Sequence, residues 1–219
     1  MKDNNINKII QILKREVQKW NTPIVTRIAV DRRKDPFKVL ISCILSLRTK
    51  DETTSGATER LFNIAGSPEE MLRLSHRAIE EAIYPVGFYK TKAENIKRIC
   101  GDLVNSYNSE VPDEIDELLK FKGVGRKTAN LVVTLGYGKP GICVDTHVHR
   151  ISNRLGYLRT SAPKNTEFTL RGKLPDRYWI IYNDLLVAFG QNICKPISPF
   201  CSRCPIKKYC DRVGVKRYR

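Results

Sequence analysis

The chain has 219 residues, and its 39 lysines and arginines against 23 acidic residues give a formal net charge of +16. This length suits one large domain or two small ones, and we expect two lobes. The spread positive charge favours a polyanionic partner such as DNA or RNA, although charge alone leaves a ribosomal, histone-like or membrane-surface protein open. No apolar run reaches the length of a membrane span, and the segment from Met1 to Trp20 lacks the apolar centre of a secretory signal. We therefore expect a soluble intracellular protein, cytoplasmic and nucleoid-associated if its source is a prokaryote.

The first two predicted helices follow from apolar spacing and from capping residues. Apolar residues recur at helical spacing from Ile6 to Trp20, and residues 21–23 (N-T-P) are expected to end this amphipathic helix. Asp35 and Pro36 then supply an N-cap and a first-turn proline to an apolar stretch at 37–47. This stretch is predicted to be a buried helix.

The remaining predicted elements are also helices. Ser67 opens a capping box before a short helix that runs to Leu74. Further helices are expected at residues 92–104, 113–119, 127–135, 146–155 and 177–189. Residues 86–91 (V-G-F-Y-K-T) and 123–128 (G-V-G-R-K-T) each place a glycine turn before a helix, which suggests two helix-turn-helix units, although the likeness could be coincidence. Alternating strand patterns are scarce, so the fold is predicted to be all α.

Four of the seven cysteines are close together in the sequence, with the spacing C-x6-C-x2-C-x5-C: Cys194, Cys201, Cys204 and Cys210. The other three, Cys43, Cys100 and Cys143, stand alone in apolar stretches. A reducing compartment keeps thiols available to metals, and four thiolates suit either zinc or a [4Fe–4S] cluster. Zinc usually uses two close C-x2-C pairs and only one is present here, so the spacing favours the iron–sulfur cluster. Four unligated cysteines are the remaining alternative.

Residues 121–130 (F-K-G-V-G-R-K-T-A-N) place two glycines before a predicted helix. Backbone N–H groups in such a turn point outward and can hold a phosphate. A glycine pair alone is common in structural turns. This longer string is more specific, because residues 144–147 (V-D-T-H) begin 17 positions after Lys127.

These strings, followed by the four cysteines, resemble the endonuclease III family of helix-hairpin-helix DNA glycosylases over about residues 36–210. The resemblance implies a six-helix barrel with a helix-hairpin-helix motif at residues 29–139. It implies a second helical domain, residues 1–28 and 140–219, which carries a [4Fe–4S] cluster in the loop 194–210, with DNA bound across the cleft between the two. It also implies that Lys127 is the nucleophile and Asp145 the catalytic carboxylate. We expect a monomer that binds double-stranded DNA containing a damaged base or an abasic site.

The proposed chemistry suits an amine beside a carboxylate. A neutral lysine can attack the sugar C1′ of a flipped nucleotide and displace the base through an oxocarbenium-like state. The resulting Schiff base permits β-elimination of the 3′ phosphate. The expected activity is therefore that of a bifunctional DNA glycosylase and abasic-site lyase, with an oxidised pyrimidine as the first expectation for the substrate.

The expected DNA contacts lie in the hairpin and at two further positions. Arg48 stands where the family usually has a glutamine that enters the gap left by the flipped base, and Phe88 stands where it has a wedge residue, often leucine. Arg48 could instead be an exposed helix-end charge, and Phe88 could belong to the core. The hairpin contacts are expected from Lys122, Gly123, Val124, Gly125, Arg126 and Thr128. Lys122 replaces a proline that many relatives have, so these departures bear on lesion preference rather than on reaction type.

Two other functions compete with this interpretation. A monofunctional mismatch glycosylase would activate water, but such relatives do not keep lysine at position 127. A non-enzymatic iron–sulfur DNA-binding protein or redox regulator would need neither Lys127 nor Asp145. Asp145 also suits the N-cap of the following helix. His147 and His149 are expected to pack or cap rather than to take part in catalysis.

Overall fold

The computed structural model describes residues 5–20 and 35–219. Within these ranges the chain contains helices and no β-strand, which confirms the predicted all-α fold. The α-helices are α1 (Ile6–Val17), α2 (Pro36–Ser46), α3 (Asp51–Ile64), α4 (Pro68–Arg73), α5 (His76–Ile83), α6 (Tyr89–Ser106), α7 (Ile115–Leu118), α8 (Arg126–Leu131), α9 (Thr146–Arg154), α10 (Pro163–Arg171) and α11 (Trp179–Asn192). A π-helical turn, Val132–Gly136, continues α8, and 3₁₀ turns lie at Asp176–Tyr178 and Lys207–Tyr209. None of the described helices is long and apolar enough to cross a membrane.

The chain divides into two compact units. The central unit contains the helices from α2 to α8 and ends at Gly141, whereas the terminal unit contains α1 and Ile142–Arg219. The predicted domain boundary at residue 139 is close to this division. The other predicted boundary, at residue 28, lies outside the described residues, as do residues 21–23. Helix α1 already ends at Val17, three residues before the predicted last residue, Trp20.

Helix α2 is the buried helix of the central unit. The Asp35 carboxylate accepts hydrogen bonds from the backbone N–H groups of Phe37, at 3.0 Å, and Lys38, at 3.1 Å, and Pro36 occupies the first turn. Every residue from Val39 to Leu45 is buried. Helices α3, α6 and α8 pack against α2. The predicted cap and the predicted burial are both confirmed.

Helix α4 also begins where the sequence predicts. The Ser67 hydroxyl accepts a hydrogen bond from the Glu70 backbone N–H at 3.2 Å, as a capping box requires. The Glu70 carboxylate accepts from the Gly66 N–H at 2.6 Å, one residue before the cap. The helix ends at Arg73, one residue earlier than predicted.

Three helices have no counterpart in the sequence prediction: α3, α5 and α10. The buried positions of α3 include Thr54, Ala57 and Thr58 beside Leu61 and Phe62. Small and β-branched polar residues weaken an apolar periodicity and have lower helix propensity than leucine. Tertiary packing therefore stabilises α3 more than its own sequence does.

The terminal unit has its own apolar core. Helix α1 buries Ile9, Ile10 and Leu13 completely and packs against α11. Helix α9 packs against both α10 and α11, and it contributes Val148 and Ile151 to the same core. Because α1 is at one end of the sequence and α11 near the other, this core joins distant parts of the chain.

Candidate active-site hairpin and cysteine site

A tight hairpin connects α7 to α8. Phe121 and Val124 are buried at its base, with the Val124 N–H donating to the Phe121 carbonyl at 3.1 Å. The Phe121 ring packs edge-on against Tyr107, with centroids 5.4 Å apart. Lys122, Gly123 and Gly125 are exposed. Two apolar anchors thus hold the turn against the central unit and leave its glycines accessible.

Gly123 is required by both conformation and space. Its φ of +88° lies in the left-handed region that side chains disfavour. A Cβ at this position would lie 2.8 Å from the Asn95 amide nitrogen. Gly125, in contrast, has an extended φ of −102° as N-cap of α8, and no atom lies within 4 Å of a Cβ built there. The two glycines therefore meet different requirements.

Lys127, the predicted nucleophile, lies in the first turn of α8 and is half-buried. Its positive charge acts on the Cys43 thiol in α2. Burial raises the pKa of Cys43 to about 12, and Lys127 partly opposes this rise. The predicted nucleophile is thus held beside the apolar centre of the unit, in surroundings that differ from those of a solvated surface lysine.

The other predicted hairpin residues differ in exposure. Arg126 is half-buried, whereas the side chains of Val124 and Thr128 are only 7% and 2% exposed. The Val124 N–H already donates to the Phe121 carbonyl, so of these two residues Thr128 is the one whose backbone N–H a phosphate could contact. DNA contacts at both positions stay a prediction.

Asp145 is the N-cap of α9 in the terminal unit. Its Oδ1 accepts hydrogen bonds from the backbone N–H groups of His147, at 2.8 Å, and Val148, at 2.9 Å. His149 Nδ1 lies 2.7 Å from the Thr166 hydroxyl, and His147 Nδ1 lies 3.1 Å from the Arg150 guanidinium. The capping duty predicted for Asp145 is confirmed, and both histidines have structural partners.

Arg48 and Phe88 lie side by side on the surface of the central unit. The Arg48 guanidinium is 5.6 Å from the centre of the Phe88 ring, and the Phe88 side chain is 64% exposed. Both residues have a positive φ, 53° and 58°, in the left-handed region that favours glycine and that residues with a side chain rarely adopt. The exposure of Phe88 excludes its alternative interpretation as a core residue.

The four C-terminal cysteines line one small cavity in the terminal unit. Its other walls are mainly apolar, including Ile151, Phe189 and Ile206, and Arg154 lies beside it. All seven cysteines are free thiols, and Cys43, Cys100 and Cys143 are buried elsewhere. In the described ranges, no three His, Cys, Asp or Glu side chains converge closely enough to bind one metal ion. The four thiols are instead spread around the walls of this cavity.

The surroundings of Cys201, Cys204 and Cys210 favour the protonated thiol. Burial raises the pKa of Cys204 to about 12, and burial also raises the pKa values of Cys201 and Cys210. The neighbouring cysteines add to each rise. N–H donors nonetheless face two sulfurs: the Arg154 guanidinium donates to Cys194 Sγ at 3.5 Å, and the Arg212 backbone N–H donates to Cys210 Sγ at 3.4 Å. A positively charged metal group would be needed to keep four thiolates together.

One structurally important residue was missed by the sequence prediction. Lys92 in α6 is 6% exposed, and its ammonium donates to the carbonyls of Leu45 and Leu47. A signal was available, because Lys92 stands four residues before Ile96 on the face of α6 that also carries Ile99 and Leu103. A lysine at an apolar-face position indicates a buried ammonium with fixed partners.

Comparisons with known proteins agree with this architecture. Residues 41–176 match the family described as HhH-GPD superfamily base excision DNA repair protein. The chain is 46% identical over 178 residues to endonuclease III of Thermotoga maritima, covering 81% of this chain and 84% of that one. It is similar to a trapped endonuclease III–DNA covalent intermediate, with 40% identity, a TM-score of 0.77 and coverage of 81% and 84%. A non-covalent endonuclease III–DNA complex is 35% identical, with a TM-score of 0.85 and coverage of 97% and 96%.

The family match covers more than half of the chain, and the Thermotoga maritima relative is matched over most of its length. Both the all-α fold and the hairpin before α8 are those of this family. The chain therefore belongs to the HhH-GPD superfamily of base excision DNA repair proteins, within its endonuclease III family of DNA glycosylases with abasic-site lyase activity.

Proposed function

We propose that this enzyme removes a damaged base, an oxidised pyrimidine by preference, with Lys127 as its nucleophile and Asp145 as its catalytic carboxylate. The observation that carries the proposal is the position of Lys127, which follows directly on the anchored hairpin 121–125 and is half-buried near Cys43. The relative trapped as a covalent intermediate with DNA supports a route through an enzyme–DNA bond.

The reaction breaks three bonds of the sugar in turn. The neutral Nζ of Lys127 attacks C1′ as the glycosidic bond breaks, and the base leaves with the bonding electron pair and takes up a proton. The C1′–O4′ bond then breaks with its electron pair going to O4′, which takes up a proton released from Nζ, and a protonated imine forms between Lys127 and the sugar. Removal of a 2′ proton then expels the 3′ phosphate by β-elimination. The Asp145 carboxylate would stabilise the cationic states and accept or return protons.

The DNA contacts in this proposal come from two places. The hairpin would offer the backbone N–H groups of Gly123, of Gly125 and of the start of α8 to a phosphate, with Lys122 and Arg126 adding charge. Arg48 and Phe88 would contact the duplex at the lesion, Arg48 in the gap and Phe88 as a wedge. Their exposure and their mutual stacking support this assignment.

We further propose that Cys194, Cys201, Cys204 and Cys210 hold a [4Fe–4S] cluster, as the family resemblance implies. A four-iron cluster takes one thiolate on each iron, so its ligands surround a volume rather than meet at a point. Four thiols around an apolar cavity suit this arrangement. The cluster would supply positive charge that holds the thiolates and so stabilises the loop 194–210. The central unit would be the barrel domain and the terminal unit the cluster domain.

Borohydride trapping tests the nucleophile directly. Reduction during turnover on a duplex with one oxidised pyrimidine should yield a stable protein–DNA adduct, and peptide mapping should place the sugar remnant on Lys127. Lys127→Gln should bind the same duplex but give no adduct and no strand cleavage. If the wild-type protein releases the base, leaves the strand intact and gives no adduct, a water-activating mismatch glycosylase becomes the better account. If base release is also absent, the non-enzymatic alternative stands.

A further inference from the structure

The loop between α2 and α3 holds Arg48 in an unfavourable conformation. Arg48 has a φ of 53°, in the left-handed region that residues with a side chain disfavour. Within the loop, the Thr49 N–H donates to the Ser46 carbonyl at 3.2 Å, and the Thr49 hydroxyl donates to the Leu47 carbonyl at 3.2 Å. Such a conformation persists only where the surroundings hold it.

The Lys92 side chain is the main tertiary contact of this loop. Its Nζ donates to the Leu45 carbonyl at 2.9 Å, to the Leu47 carbonyl at 2.6 Å and to the Thr49 hydroxyl at 3.1 Å. These three bonds use all the donors of an ammonium group. Its positive charge also meets the negative end of the α2 dipole. Lys92 therefore binds the end of α2 and both residues that flank Arg48.

The same residue is linked to Phe88. The Lys92 backbone N–H donates to the Phe88 carbonyl at 3.0 Å, in the first turn of α6, where Phe88 is the N-cap with its own φ of 58°. The turn and the loop are in close contact, because a Cβ on Gly87 would lie 2.9 Å from the Arg48 carbonyl oxygen. Lys92 thus connects the loop of Arg48 to the turn of Phe88.

We propose that Lys92 is a positioning residue that holds Arg48 and Phe88 as one rigid pair for recognition of the damaged duplex. This inference rests on the proposed duplex contacts of Arg48 and Phe88. Phosphate contacts bind damaged and undamaged DNA alike, whereas groups that enter the gap act only where a base is displaced. Loosening the pair should therefore reduce discrimination between the two duplexes rather than binding in general.

The test compares Lys92→Met with a matched control, Lys97→Met. Lys97 lies on the same helix and makes the same kind of contact, since its ammonium donates to the carbonyls of Leu72, at 2.8 Å, and Leu74, at 2.5 Å, at the end of α4. Both variants remove an ammonium that caps a helix. Only Lys92 contacts the loop of Arg48. Dissociation constants are measured for an undamaged duplex and for a duplex with a non-cleavable abasic-site analogue.

Lys92→Met should weaken binding to the abasic-analogue duplex by roughly tenfold or more, the equivalent of about 1.4 kcal/mol, while binding to undamaged duplex changes less than about threefold. Lys97→Met should leave the ratio of the two constants unchanged. Combining Lys92→Met with Arg48→Ala should weaken binding by less than the two single effects multiplied together, because the lysine acts in part through the arginine. The single-turnover cleavage rate of the control Lys97→Met at saturating DNA should stay within about threefold of wild type.

Gly87→Ala is a second variant in case Lys92→Met does not fold. It keeps the ammonium but displaces the loop from the other side, so it should lower the same ratio. Three results would overturn the inference. The first is an equal loss of affinity for both duplexes, and the second is full additivity of Lys92→Met and Arg48→Ala. The third is an unchanged ratio of the two dissociation constants in both Lys92→Met and Gly87→Ala. Borohydride trapping of the wild-type protein is a separate measurement. If no adduct forms, the proposed nucleophile is wrong. If the wild-type adduct forms but the variants leave the ratio of dissociation constants unchanged, only the role of Lys92 is refuted.

Discussion

Replacing Gly123 by alanine should disturb the hairpin through two separable effects. The first is conformational, because a φ of +88° typically costs a residue with a Cβ about 1 to 2 kcal/mol. The second is steric, because the new Cβ would lie 2.8 Å from the amide nitrogen of Asn95, closer than real Cβ contacts. The Asn95 amide ends a side chain and can shift, so we expect the conformational cost to dominate.

This cost converts into an expected loss of affinity. If DNA binds only the native hairpin, about 1 to 2 kcal/mol corresponds to a loss of roughly 5- to 30-fold in affinity for duplex DNA. Fluorescence anisotropy with a labelled abasic-analogue duplex measures that loss, and thermal melting of the free protein measures the accompanying loss of stability.

Two control variants separate the effects. Asn95→Ala combined with Gly123→Ala removes the steric contact and leaves the conformational cost, so the double variant should recover only part of the loss. Gly125→Ala has no atom within 4 Å of its Cβ and an extended φ of −102°, so the fold should tolerate it. If Gly123→Ala binds DNA and melts like wild type, the reasoning about this turn is wrong. If Gly125→Ala melts like wild type but binds poorly, DNA itself requires the small residue there.

Three further predictions concern the cysteines, the N-cap and the buried lysine. Cys204→Ser should lose most of about four irons per chain, whereas Cys43→Ser should keep them; iron analysis showing loss from both would contradict the ligand set. Asp145→Asn should keep the cap of α9, and so its melting temperature, but lose roughly a hundredfold in base excision rate; an unchanged rate would leave Asp145 with a capping role alone. Burial lowers the pKa of Lys92 from 10.5 to about 8. Between about pH 8 and pH 10.5 the unfolded chain therefore binds more protons than the folded chain, and the free energy of unfolding increases as pH rises. Relative to Lys92→Met, the wild-type unfolding free energy should therefore rise by roughly 2 kcal/mol from about pH 7.5 to about pH 9.5 in urea titrations, and a constant difference would refute the shift.

Predictions that depend on neighbouring residues agree with the structure. Asp35, Ser67 and Asp145 each accept hydrogen bonds from the backbone N–H groups that open a helix, as their sequence contexts predict. The two glycine turns, at Gly87 and Gly123, each precede a helix. These features are encoded within four or five residues, so a single sequence is sufficient to find them.

Predictions that depend on burial were less successful. Helix α3 was missed because its buried face carries Thr54 and Thr58, and only α2 and α5 packed against it make these positions interior. The side chain of Thr128 is buried as well, which the sequence around it does not reveal, while its predicted DNA contact stays a prediction. Exposure is decided by elements far away in the sequence, which periodicity within one helix does not reveal.

By itself the sequence determined the all-α class, the capped starts of α2, α4 and α9, the hairpin before Lys127 and the group of four cysteines around one cavity, because each depends on spacing over a short stretch. Only the tertiary structure decided that Arg48 and Phe88 are adjacent, and that an ammonium from α6 holds the end of α2. Lys92 and Leu45 are 47 residues apart, and their contact exists only because α2 and α6 pack together. A hydrogen bond between distant residues has no local signature, since its strength comes from the burial that folding creates.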